Sequence, residues 1–102
     1  MVVETYQTTK LFPSEEKFGL ISQINRCAVS IPSNIAEGSS KSTVKHFKTY
    51  FETSLGSAFE WETQITIAYK IGYIDKQKFE ELEYKIQKLQ NMIYNFANSL
   101  KS

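Results

Sequence analysis

The chain has 102 residues, 41% of them apolar and 23% charged, and its 12 basic and 11 acidic side chains leave a net charge of +1. That length sustains one domain, residues 1–102, with a single modest core. Near-neutrality excludes a bulk electrostatic pull on nucleic acid or anionic membrane. A lone cysteine, Cys27, excludes an internal disulfide and points to a reducing cytoplasm. No apolar run approaches the ~18 residues of a membrane span, and no basic-then-apolar signal opens the chain.

Residues 1–11 are compatible with a short helix in which Val2, Val3, Tyr6 and Lys10 share a face. So short a helix is not stable alone, and it cannot cover the full length of longer partners. Pro13-Ser14-Glu15-Glu16 reads as a helix start, with Ser14 as cap and two carboxylates near the positive end of the dipole. Phe18, Ile21, Ile24, Ala28, Ile31 and Ile35 then recur at helical spacing. Pro32 interrupts this run, removing a hydrogen bond and clashing with the Ala28 carbonyl at a cost of ~3 kcal/mol. The apolar period keeps its phase through the proline. The spacing therefore predicts one helix over about 14–37, kinked at Pro32, with Ser30 and Ser33 placed to bond the freed carbonyls. Gly38-Ser39-Ser40 ends it.

A second long helix is predicted over 42–71, started by Ser42 or Thr43. Its seam is Val44, Phe47, Phe51, Ser54, Ala58, Trp61, Ile65 and Ala68. Gly56 inside it costs about 1 kcal/mol against Ala, and with small Ser57 and Ala58 beside it the expectation is close approach of a neighbouring helix. Gly72 suits the C-terminal stop, and Asp75 the cap of a third long helix over 75–100. The seam there is Phe79, Leu82, Ile86, Leu89, Ile93, Phe96 and Leu100. The short link between the last two helices makes them an antiparallel hairpin. The fold class is all-α: an antiparallel up-and-down four-helix bundle with a short first helix.

Catalytic chemistry is poorly represented. One His and one Cys lie far apart, and no Glu-x-x-His pair exists, so no metal site or other cofactor is expected. Glu60 and Glu62, two apart, point to different sides of a helix. Cys27 reads as a small buried hydrophobe and His46 as an exposed helix residue. SSKST lacks the glycines of a phosphate loop. The reading is not an enzyme.

Two local features remain. Lys41, Lys45, His46 and Lys48 gather at the start of the second long helix, in a stretch without acidic residues. Free amides, serines and lysines there suit phosphates of RNA or DNA, or form a solvated charged face. On the helix over 14–37, Ser22, Arg26, Ser30, Ser33 and Glu37 form a polar stripe with Asn34 alongside. Arg26 is expected to pair with Glu37 of its own or a neighbouring chain, or with Glu62, within a polar network or subunit interface; the alternative is simple solvent exposure. Trp61 reads as core, and Tyr50, Tyr84 and Tyr94 as exposed surface for subunit contact.

Specific strings go further. Phe12-Pro13-x-Glu15-Glu16-x-Phe18-Gly19-Leu20, Ser30-Ile31-Pro32-Ser33-Asn34-Ile35-Ala36-Glu37-Gly38, Leu55-Gly56-Ser57, Glu60-x-Glu62-Thr63-Gln64 and Gly72-Tyr73-Ile74 resemble one bacterial family of four-helix-bundle proteins. Its genes were noticed within intervening sequences of 23S ribosomal RNA genes, and it includes the accessory variability determinant of diversity-generating retroelements. The resemblance, over residues 10–100, implies a homopentameric ring and, for the retroelement relatives, partnership with a reverse transcriptase and nucleic acid. Those relatives are strongly basic, unlike this chain. Met1 falls where the middle of the family's first helix would be, so either the start is internal to a longer protein or that helix is half-length. The functional expectation is a cytoplasmic oligomeric scaffold or adaptor that contacts RNA, DNA or a nucleic-acid enzyme. The alternative is a purely protein-binding oligomerisation module.

Overall fold

The computed structural model describes residues 1–100. Four α-helices follow one another: α1 (Val2–Thr9), α2 (Leu20–Ser39), α3 (Val44–Lys70) and α4 (Lys76–Ser99), with a 3-10 turn at Ser14–Glu16 between the first two. No strand occurs among the described residues. The bundle measures 45 × 24 × 18 Å. α3 packs against α2 on one side and α4 on the other, and α1 packs on α2.

The caps explain the boundaries. Thr43 Oγ1 accepts from His46 N at 3.2 Å and Asp75 Oδ1 from Lys78 N at 2.8 Å, so both predicted caps of α3 and α4 satisfy a first-turn amide. α3 ends in a Schellman turn: Tyr73 N donates to Ala68 O and Gly72 N to Tyr69 O, with Gly72 at φ +91°. Only glycine takes that φ without strain.

α2 differs from expectation at its start. Ser14 makes no side-chain cap bond, and the 3-10 turn breaks before the non-helical Gly19 (φ −109°, ψ −108°). Glu16 does the capping instead, accepting from Leu20 N at 3.3 Å through one carboxylate oxygen. Its other oxygen accepts from Tyr73 Oη at 2.8 Å, tying this corner to the α3–α4 link. The detour throws Phe18, expected on the apolar face, into solvent at 90% exposure. Past Pro32, α2 runs on to Ser39. Ser30 does not turn back to a freed carbonyl. Its hydroxyl hydrogen-bonds Ser57 at 2.8 Å, while Ser54 Oγ donates to Ile31 O and Asn34 Nδ2 to Ser30 O, each at 2.8 Å. The proline-bearing turn is thus fastened to α3 by serines of α3.

The core is Ile24, Cys27, Ala28 and Ile31 of α2; Phe51, Ala58, Trp61, Ile65 and Ala68 of α3; and Leu82, Ile86, Ile93 and Ala97 of α4, closed by Phe12. Buried positions of α4 run Leu82, Ile86, Gln90, Ile93, Ala97. The strict heptad seam drifts because 3.6 residues per turn exceeds 3.5, which leaves Phe96 half out. Gly56 is exposed with nothing within 4 Å of a would-be Cβ, so it marks no close helix approach. Gly38 does: a Cβ there would lie 2.8 Å from Tyr50 Cβ and 3.2 Å from Phe47 O.

In α1 the shared face of Val3, Tyr6 and Lys10 turns outward. Thr5, Thr8 and Thr9 are buried, and Val3 and Tyr6 are exposed. Burial of threonine works because each hydroxyl is satisfied. Thr5 Oγ1 donates to Met1 O (2.7 Å) and accepts from Trp61 Nε1 (3.2 Å); Thr8 donates to Glu4 O, and Thr9 to Asn25 Oδ1 at 2.9 Å.

Candidate interaction sites

Chemistry in this molecule collects on the two flanks of α3. Glu60 and Glu62 lie two apart on one helix and so point to different sides. Glu60 faces α2. Cys27 Sγ donates to Glu60 Oε1 at 2.9 Å, and Arg26 reaches Glu60 Oε2 at 3.5 Å while donating to Gln23 Oε1 at 2.8 Å. Burial first, and then the hydrogen bond to Glu60, push the Cys27 thiol up to about 12. It is therefore a protonated donor in the core, which adds a polar role to the small hydrophobe expected. Gln64 Oε1, also buried, has no partner there.

Glu62 faces α4. Gln90 Nε2 donates to Glu62 Oε1 at 2.9 Å and Gln87 Nε2 to Oε2 at 3.1 Å; Gln90 also reaches Ala58 O. Phe59, Asn91 and Tyr94 complete a cleft of about 500 Å³ with these residues. Within the chain, then, Arg26 pairs with Glu60 and with neither Glu37 nor Glu62. The expected polar stripe divides: Ser30 and Asn34 knit α2 to itself and to α3, Arg26 stays exposed, and Glu37 holds Lys41 at 3.2 Å.

The same ion pair bears on the basic cluster. Lys41 lies against Glu37, which raises its pKa above the ordinary lysine value, and over the Tyr50 ring at 5.1 Å. Lys45 and His46 are exposed at the start of α3, and Lys48 is half-buried. No three of His, Cys, Asp and Glu converge as metal ligands among the described residues. No described helix is long and apolar enough to cross a membrane.

A further surface opens between α1 and α2. Val2, Val3, Tyr6, Phe12 and Ile21 line a groove of about 730 Å³, with Lys10 and Lys17 at its rim. In the link that follows α1, Leu11 is 82% exposed and Phe18 90%.

The helical bundle, the chain-order of its caps and the SIPSNIAEG turn locked onto α3 agree with a match to one family model, that of the 23S rRNA-intervening sequence proteins, over residues 1–95. The chain belongs to that family. No curated protein matches it. As a 23S rRNA-intervening sequence protein, it uses its SIPSNIAEG segment structurally: Ser30, Ile31, Asn34 and Gly38 each hold α2 against α3 or against itself.

Residues outside the expected site set include Glu60, Gln87 and Gln90. Gln90 carried a signal: it follows Ile86 by four and precedes Ile93 by three, the spacing of a buried position. A buried glutamine so placed requires a partner across the helix pair, which is Glu62.

Proposed function

We propose that this protein is a non-enzymatic, self-associating helical scaffold of the cytoplasm, assembling as the homopentameric ring that its family resemblance implies and binding protein partners. One observation carries the reading. The isolated chain leaves Val3 and Tyr6 in water along an open apolar groove that Val2, Phe12 and Ile21 also line, with Leu11 and Phe18 exposed in the link that follows α1. Scattered apolar side chains are ordinary on a surface, but clustered ones bordering a groove mark association. Support for a non-catalytic role comes from the dispersal of reactive groups: His46 stands exposed on α3, and the Cys27 thiolate is disfavoured.

Multi-angle light scattering tests the assembly. Five copies of an 11.8 kDa chain give a mass of about 59 kDa; a mass of one chain at micromolar concentration overturns the proposal. A second reading, phosphate contact by the start of α3, is supported by exposed Lys45 and His46. Replacing Lys41, Lys45 and Lys48 with Glu should then weaken RNA binding and flatten its salt dependence. Unchanged affinity and slope would remove nucleic acid from the account.

A further inference from the structure

We propose that the Glu62 cleft is the receptor for Arg26 of a second copy of this chain, a contact that rests on the self-association proposed above and names the residues that make it. The cleft has the chemistry of a guanidinium site. Glu62 offers two carboxylate oxygens, each already accepting one amide hydrogen from Gln87 or Gln90. A carboxylate has about four lone-pair positions, so the outward pair remains for a planar fork of N–H donors. Gln90 is 6% exposed and anchored on Ala58 O, so the carboxylate is held in one orientation. Phe59 and Tyr94, half-exposed in the cleft lining, are aromatic rings of the kind a guanidinium stacks on. Yet among the described residues no basic side chain forms an ion pair with Glu62.

The complementary group is on the other flank. Arg26 is the only arginine in the sequence. Its side chain is 58% exposed, and its one ion pair among the described residues is the 3.5 Å contact with Glu60, itself 47% exposed. Such an exposed, long pair releases its arginine readily. Donor and receptor lie on different faces, the α2–α3 face and the α3–α4 face, so the contact is heterologous: each copy gives Arg26 to one neighbour and receives from another.

Light scattering on full-length charge-reversal variants, with far-UV circular dichroism as a check on folding, tests the contact. R26E and E62R are each expected to lose the wild-type mass while keeping helical ellipticity. E60Q, which removes the in-chain counter-charge of Arg26 and leaves an amide oxygen able to accept from Cys27, is expected to keep that mass. Reversal of both charges in the E60Q background (R26E/E60Q/E62R) is expected to restore it. If the wild type assembles and R26E or E62R keeps its mass, or if the reversed pair fails to reassemble, this contact is overturned and self-association stands. A monomeric wild type overturns self-association itself.

Discussion

Gly38 and Gly56 provide a matched pair in which the same substitution has opposite consequences. Both lie inside helices, where Ala is favoured over Gly by up to ~1 kcal/mol. At Gly56 a methyl group meets nothing within 4 Å, so Gly56→Ala should gain most of that amount. At Gly38 the methyl would sit 2.8 Å from Tyr50 Cβ and 3.2 Å from the Phe47 carbonyl. These are the Cβ and backbone of α3, not a flexible side-chain end, so α2 and α3 must separate by several tenths of an ångström. Overpacking of that kind costs ~1–3 kcal/mol, exceeding the propensity gain. The net expectation is a loss of about 1–2 kcal/mol for Gly38→Ala. For a domain of this size each kcal/mol moves Tm by ~4–8 °C. Thermal melts at one fixed protein concentration, needed because association stabilises by mass action, should show Gly56→Ala rising and Gly38→Ala falling. Equal upward shifts would refute the close approach of α2 and α3 at Gly38.

Other expectations follow from the polar contacts. Ser54→Ala removes the buried donor to Ile31 O and should cost about 1–2 kcal/mol in urea unfolding; the exposed Thr53→Ala should change little. Lys85, through a hydrogen bond, holds the Glu4 carboxyl below its ordinary value of 4.5. A lowered acid pKa stabilises the fold above the ordinary carboxylate range and ceases to do so as pH falls through the lowered value. Urea midpoints taken between pH 6 and pH 3 should therefore decline less steeply in Glu4→Gln than in wild type, by at most about 1 kcal/mol. Identical slopes would show that the pair does not hold α1.

Helix existence, type and most caps were legible because α3 and α4 repeat apolar residues over many turns, and Thr43, Gly72 and Asp75 each carry a local mechanism. Trp61 was legible as core for the same reason. The errors fall where a tertiary contact outweighs a local signal. Ser14 looks like a cap, but Glu16 reaches farther and serves both Leu20 N and Tyr73. Phe18 fits the apolar period of α2, yet Gly19 breaks the helix before that period applies. Buried threonines on α1 were hidden from any hydropathy reading, because their burial depends on acceptors and donors supplied by Asn25 and Trp61. The candidate interaction residues were half-visible: Arg26 and Glu62 stood out by type, whereas the Glu60 pairing required knowing how α3 is rotated against α2.

The placement of the contacts made by α1 has a mechanical consequence. Its bonds to the other helices fall on Asn25, Trp61, Lys78 and Lys85, all in one half of the 45 Å body. In the opposite half, Phe47, Phe51 and Phe96 pack with ring centroids 4.6–6.0 Å apart. Amide exchange should therefore advance from the Phe96 end, leaving the threonine-buttressed end as the last part of the molecule to open.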